Sequence, residues 1–531
     1  MSPRLLALGL DAASPALVER FAREGAMPHV RRLLAEGLSA RCRGVEGFFV
    51  GATWPSLYTA LSPARHGHHA LVQLRPGTYD LYRPQDETLV HAQPFWDHLA
   101  RGGLRCAVLD VPLSALSAHV AAQVVEWGSH DELYGFCARP EPLAREIAAR
   151  FGEYPLARGC DAERRDEAAW RDFLERLERG AARKAALTRF VLAREPYDFA
   201  LQVFSETHCA GHQAWHLHDP AHPAHDAALA AALGDPLRRV YAAVDSAVGE
   251  IAACAPDATL VVFAAHGMSH WYGAQFLLCQ ILVRLGVTAP LAAPAPRPAA
   301  RAAALAEDAW LALPERLRRA LAPLKDRAKE AVRRARPRTA PPRPSLDVDA
   351  ARSDCFPVYN GLAVGGIRLN LAGREPAGRL RPGAEADAFC ARLAAELLAL
   401  RDGVTGRALV RAVRRTRDLG AGERLAALPD LLVEWSDDAP TGSLAHAGGR
   451  AAAIRATSPR LGVVEGANAY GRTGEHRPEG FFVARGPGIR PGRLDAAVSV
   501  LDLAPTFCAR LGRPMTGVEG RPLAALGAAG S

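Results

Sequence analysis

No stretch of this 531-residue sequence holds the roughly 18 to 20 apolar residues that a membrane-spanning helix requires. Met1-Ser2-Pro3-Arg4 runs directly into Leu5-Leu6-Ala7-Leu8-Gly9-Leu10-Asp11, an apolar run too short for the core of an export signal and without a cleavage site. The ten cysteines include no Cys-x-x-Cys pair, which leaves a disulfide framework without support. A cytoplasmic protein with buried, reduced thiols is therefore expected. No long low-complexity tract is present, and 65 Lys+Arg against 57 Asp+Glu leave a net charge of only +8. What is there is a globular composition, 49% hydrophobic and 23% charged, able to bury a substantial core. Wholesale disorder, collagen and mucin-like stalks are excluded.

The first 286 residues alternate short apolar runs with helical patterns. Leu5–Leu10, Cys106–Val111, Phe199–Phe204 and Thr259–Ala264 read as strands, and the text between them, such as Ala16–Glu36 and Glu141–Phe151, has helical spacing. Strands alternating with helices predict an α/β fold with a doubly wound, mostly parallel sheet. Ligands bind at the carboxyl ends of such strands, where Asp11, Glu206 and His266 fall. Residues 287–350 differ. Proline recurs through Ala/Arg/Lys-rich text, and Arg297–Arg343 carries 13 basic against 5 acidic residues, so the whole net charge sits in one basic helical insertion. A solvated surface insertion fits this segment, as does a basic helix meeting an anionic partner. It has no aromatic interleaving and no groove-reading motif, so no specific nucleic-acid motif is assigned. Residues 351–531, with Gly366–Leu371, Ala384–Leu400, Leu431–Glu434 and Gly480–Ala484, are expected to complete the domain begun by 1–286.

His208 and His212 stand four residues apart after the run Phe199–Phe204, a spacing that puts two imidazoles on one helical face and suits a metal ion or a polar helix surface equally. Asp11 ends a buried strand, where an ionised carboxylate needs a cation or strong donors, or serves as a helix cap. His266 follows the strand Thr259–Ala264, as a ligand or as a structural histidine. Glu126-Trp127-Gly128-Ser129-His130-Asp131 reads as a strand-end turn or a pocket wall, with Glu206 and His130 as candidate substrate contacts. Thr53, on a turn before a helix, is a candidate nucleophile or a cap, with Ser56 as the next hydroxyl.

Taken in order, several segments resemble the alkaline phosphatase superfamily, in its type I phosphodiesterase/nucleotide pyrophosphatase-like branch. They are Gly9-Leu10-Asp11-Ala12-Ala13, Ala26-Met27-Pro28-His29-Val30-Arg31-Arg32-Leu33, Trp54-Pro55-Ser56-Leu57-Tyr58-Thr59 running on to Pro63-Ala64-Arg65-His66-Gly67, Arg368–Pro376, Gly474-Glu475-His476-Arg477-Pro478-Glu479-Gly480, and Leu501–Thr506 with Gly517–Leu523. The resemblance implies an alkaline-phosphatase-like core and two divalent ions, usually zinc, flanking a Thr or Ser that attacks phosphorus. It implies that one ion is held by His208, His212 and His476, and the other by Asp11, a residue near Thr53, the position of Ala265, and His266.

Two departures follow from this resemblance. His208 stands where Asp is usual, a tolerable exchange because three imidazoles make a good zinc site. Ala265 stands where a second Asp is usual and ligates nothing, so the second site is degenerate. Ungapped, the nucleophile position falls on Val50, three residues before Thr53. The expected function is metal-dependent hydrolysis of a small-molecule phosphoric ester, a diester before a monoester, with one or two ions. The alternative is a non-catalytic or single-metal binding or scaffold protein. A sulfatase would need a Cys/Ser-x-Pro-x-Arg context, absent from Val50-Gly51-Ala52-Thr53-Trp54. Oligomeric state is not legible.

Overall fold

The computed structural model of the chain describes residues 3–84, 92–156, 160–161, 164, 166–291, 317, 345–442, 452–468 and 470–527. Its centre is the strand Leu5–Leu10, six residues all buried. The strand pairs in parallel with Phe199–Phe204 on one side and Thr259–Ala264 on the other, with Leu10 opposite Phe204 and Gly9 opposite Phe263. Burial on both faces explains the uninterrupted apolar text of these three runs. Leu6, Leu8 and Leu10 enter one core with Phe21, Leu177, Trp215 and Tyr241, while Leu5 and Ala7 enter another with Trp54, Phe95 and Phe507. Helices thus cover both faces of the sheet, the doubly wound arrangement the alternating pattern predicts.

Beyond Phe199–Phe204 the sheet continues through Cys106–Leu109 and Ala122–Val125 in parallel and ends on the antiparallel Cys137–Arg139. Beyond Thr259–Ala264 it continues through the antiparallel Glu479–Arg485, then Leu38–Arg43 and the short Gly492–Arg493. The C-terminal half therefore supplies strands to the first sheet. It also builds a four-stranded antiparallel sheet of its own, Cys355–Val358, Val364–Leu369, Leu431–Trp435 and Val410–Arg415, with a separate core against the helices Gln275–Arg284 and Ala384–Leu398.

The helical pattern expected over Ala16–Glu36 is two helices, Pro15–Arg23 and Pro28–Glu36. Gly25, at φ +83°, takes the left-handed conformation that closes the first, and Pro28 opens the second where its missing N–H costs nothing. The short strands Ala289–Pro290 and Val348–Asp349 pair antiparallel and bring together the two ends of the expected basic insertion. Residues 292–344 of that insertion, Leu317 apart, lie outside the described residues. Among the described residues no helix is long and apolar enough to cross a membrane.

Candidate functional site

The parallel strands end on one edge, and each delivers a polar residue there. Asp11 follows Leu10, Ser205 and the helix Glu206–His218 follow Phe204, and Ala265-His266 follow Ala264. His208 and His212 lie one turn apart on that helix, both buried. The third histidine arrives from the other half of the chain. The strand Gly474–Arg477 pairs antiparallel with Gly267–His270, setting His476 opposite Met268, and Thr473 N–H donates to the His212 carbonyl at 2.7 Å. This approach requires glycine. A Cβ on Gly474 would lie 2.1 Å from the Gly211 carbonyl oxygen, so the helix and strand backbones touch only because the side chain is absent.

His208, His212 and His476 consequently offer ligand atoms within 4.8 Å of one another. The His212 Nδ1 meets the Gly474 carbonyl at 2.8 Å, a contact that, with Nδ1–H donating, makes Nε2 the acceptor nitrogen facing inward. That Nε2 is 3.1 Å from the His476 Nε2, close to the about 3.3 Å between two nitrogen ligands of tetrahedral zinc. The Nδ1 atoms of His208 and His476 are buried without a hydrogen-bond partner. Burial holds all three imidazoles well below their usual pKa, as neutral donors. Three neutral imidazoles, two of them with an orphaned nitrogen, fit a borderline divalent cation such as zinc.

A second group adjoins the first. The His266 and His476 rings are 4.7 Å apart, and His266 Nε2 is 3.7 Å from Asp11 Oδ1, which also accepts from the Trp54 indole at 3.2 Å. Burial raises the Asp11 carboxyl to about 7 and lowers His266 to about 3. The carboxylate is therefore under-compensated by its protein neighbours, as a cation site would leave it. Ala265 is buried beside them and brings only a methyl group.

A family profile described as type I phosphodiesterase/nucleotide pyrophosphatase matches residues 5–335. The chain belongs to this family. It is the branch of the alkaline phosphatase superfamily that the motifs resemble. Among solved structures, phosphonoacetate hydrolase from Sinorhizobium meliloti 1021, in complex with phosphonoformate, aligns over 94% of each chain at 13% identity and a TM-score of 0.48. Murine ectonucleotide pyrophosphatase/phosphodiesterase 5 aligns over 97% of each chain at 12% identity and a TM-score of 0.45. No curated protein matches the chain.

In this member of the phosphodiesterase family the strand-end edge opens into a cavity of about 740 Å³. His208, His476 and His130 line it, as do Val50, Gly51, Ser129, Cys160, Cys209 and Arg472. Asp11, His212 and His266 lie behind that wall.

Two expectations are corrected. Thr53 does not present its hydroxyl to the cavity. It is fully buried at the start of the helix Thr53–Thr59, and its Oγ1 donates to the Phe49 carbonyl at 2.7 Å. Val50, which ungapped correspondence puts at the nucleophile position, lines the cavity in its place. The next hydroxyl, Ser56, is also buried and paired at 2.9 Å with His66 Nε2. Glu206 likewise does not line the cavity. Its carboxylate is fully buried, accepts from the Tyr154 hydroxyl at 2.6 Å and lies 3.5 Å from the buried Lys184 ammonium. Lys184 also donates to Ser205 Oγ and the Val203 carbonyl, a network that stiffens the strand end beneath the site.

Arg472, unremarked in the sequence, is the missed residue. Its guanidinium forks onto Asp161, with Nε 3.0 Å from Oδ1 and Nη2 2.9 Å from Oδ2, while Nη1 reaches His212 Nε2 at 3.3 Å. Although burial opposes charge on both partners, the pairing raises the Arg472 pKa and lowers that of Asp161. The only signal in the sequence is its place four residues before His476.

Proposed function

We propose that this protein hydrolyses phosphoric diesters with the help of a divalent cation, zinc foremost, held by His208, His212 and His476. The observation that carries the reading is the convergence of three neutral imidazoles, two of which, His208 and His476, line a cavity that also receives the guanidinium of Arg472. A cation bound there supplies charge neutralisation at the phosphoryl oxygens and a more acidic water.

The remaining roles belong to the chain. Arg472, its plane set by Asp161, donates to nonbridging phosphoryl oxygens, and Nη1 gives up its long contact to His212 as it does so. The nucleophile is water, because Thr53 and Ser56 are both committed to buried partners and Val50 carries no hydroxyl. Water adds to phosphorus as the ester P–O bond breaks, giving a monoester and an alcohol. Asp11 and His266 form the surviving half of a second cation position, weakened by Ala265. The cavity is larger than a phosphoryl group needs, and its lining includes the exposed aromatic residues Phe136, Tyr359 and Tyr470. Such a rim favours a diester whose second substituent is apolar or aromatic.

Val50 and Ala265 favour a second reading, a binding protein on the same fold that has lost catalysis. Elemental analysis of the purified protein together with turnover of bis(nitrophenyl) phosphate separates the two. Bound metal with turnover is the expected result. A metal-free protein without turnover, unchanged by added zinc, would sink the enzyme reading.

A further inference from the structure

Three residues from separate segments meet on the cavity wall without a role in the chemistry above. His130 sits in the turn after the strand Ala122–Val125, Cys160 precedes the helix Glu167–Leu192, and Cys209 lies on the helix Glu206–His218. Their ligand atoms lie within 4.8 Å of one another, and neither cysteine is in a disulfide. His130 Nδ1 is 3.6 Å from Cys209 Sγ, which equals the roughly 3.6 Å between a nitrogen and a sulfur ligand of tetrahedral zinc. The outer contacts fit as well. His130 Nε2 lies 3.7 Å from Asp131 Oδ1, a carboxylate within ion-pair range on the far side of the ring from Nδ1. The Cys160 carbonyl accepts from Arg164 Nη2 at 2.7 Å, and the neighbouring Asp161 is fixed by Arg472, so the loop carrying the thiol is tied at two points. All three side chains line the cavity, which provides an access route for an ion.

We propose that His130, Cys160 and Cys209 bind a zinc-class cation of their own, distinct from the three-histidine position and from Asp11–His266. Three protein ligands leave the fourth tetrahedral position for water or a phosphoryl oxygen from the cavity. Two sulfur donors select a softer ion than magnesium or manganese. His208 and Cys209, adjacent on one helix, then serve neighbouring ions, and the His130 and His208 rings lie between them with centroids 4.3 Å apart and planes tilted by 45°. The pair of ions would restore, from other residues, the two-cation character that Ala265 removes.

The test uses the full-length protein loaded with cobalt(II) after chelation. Wild type is expected to show the near-ultraviolet charge-transfer absorption of a cobalt–thiolate bond. Cys160→Ser and Cys209→Ser should each abolish that band and lower bound metal by one equivalent, with far-ultraviolet circular dichroism unchanged. His130→Asn, which keeps both thiols, should weaken cobalt binding and shift the band, and it decides the matter if the serine variants misfold. A metal-loaded wild type lacking the band overturns the proposal, as do serine variants with undiminished metal or a Cys160–Cys209 disulfide in the loaded protein. His212→Ala keeps this test separate from the three-histidine reading. Loss of metal there with the thiolate band retained supports both sites, whereas unchanged metal there, with loss in the cysteine variants, removes only the three-histidine site.

Discussion

The Nε2 atoms of His212 and His476 lie 3.1 Å apart, although 264 residues separate them in the chain. His212 is set by its helix and by the Gly474 carbonyl at its Nδ1, and His476 by a strand that can reach the helix only through Gly474. The pair joins the two halves of the chain at the site.

Removing either imidazole should remove the cation. His212→Ala and His476→Ala are each expected to lower bound metal and diester turnover together. Outer-shell changes cost about 10- to 100-fold, so loss of a direct ligand should exceed about 100-fold. Elemental analysis beside kcat/KM checks this, and unchanged metal in both variants would refute the three-histidine position.

Arg472→Lys keeps a positive charge but cannot fork onto Asp161 and present a further donor to phosphate. Turnover should fall by about 100-fold, the scale of losing one preorganised donor to developing charge. Asp161→Asn, which leaves the guanidinium in place but loosens it, should fall less. Equal losses in the two variants would mean that Arg472 acts only by holding the loop.

Thr53→Val should leave kcat within a factor of a few of wild type. The lost Oγ1 hydrogen bond to Phe49 costs about 1 kcal/mol of stability, measurable by urea unfolding. Loss of turnover in a folded Thr53→Val protein would reinstate the hydroxyl as nucleophile.

Gly474→Ala places a methyl group against the Gly211 carbonyl and should push His476 away from His212. A lower melting temperature and weaker metal binding are expected together. Wild-type metal affinity in this variant would show that the close approach does not position the ligand.

Stability of the metal-free protein should rise with pH from about 3 to 6.5. Burial lowers His68 and His69 from 6.5 to about 3, so in that window the unfolded chain binds more protons than the folded one. Below the folded pKa both states are protonated and the slope vanishes. Asp11, raised to about 7, acts in the opposite sense between its unfolded value of 3.8 and about 7. Glu475, raised to about 7, and the raised Asp110, Glu126 and Asp245 act with Asp11. The lowered histidines, His66, His68, His69, His208, His212, His266, His270 and His476, outweigh these carboxyls by number. Urea unfolding across this range measures the slope, and His68→Gln should flatten it. A slope of opposite sign would mean that buried carboxyls dominate.

Much of the fold was legible because burial on both faces leaves a plain mark. Leu5–Leu10, Phe199–Phe204 and Thr259–Ala264 are continuous apolar runs, and each is a strand of the central sheet at the limits read from the text. The distinct antiparallel sheet of the second half was not legible. Whether Val364–Leu369 and Leu431–Trp435 join the first sheet or form their own depends on pairings between distant segments.

For the site, residue types and local spacings singled out Asp11, His208, His212 and His266 as candidates, and only the family resemblance added His476. Direction was beyond it. The hydroxyl of Thr53 turns back to Phe49 because the helix begins there, and the carboxylate of Glu206 stays inside because Lys184, from another helix, lies beside it. Arg472 carries only its place four residues before His476, and the meeting of His130 with Cys160 and Cys209 carries no local pattern. A sequence determines periodicity and the local chemistry of each strand end. Which buried charge finds its counter-charge, and which imidazoles and thiols converge, was decided by tertiary structure, since both depend on approaches between segments from about 20 to about 300 residues apart.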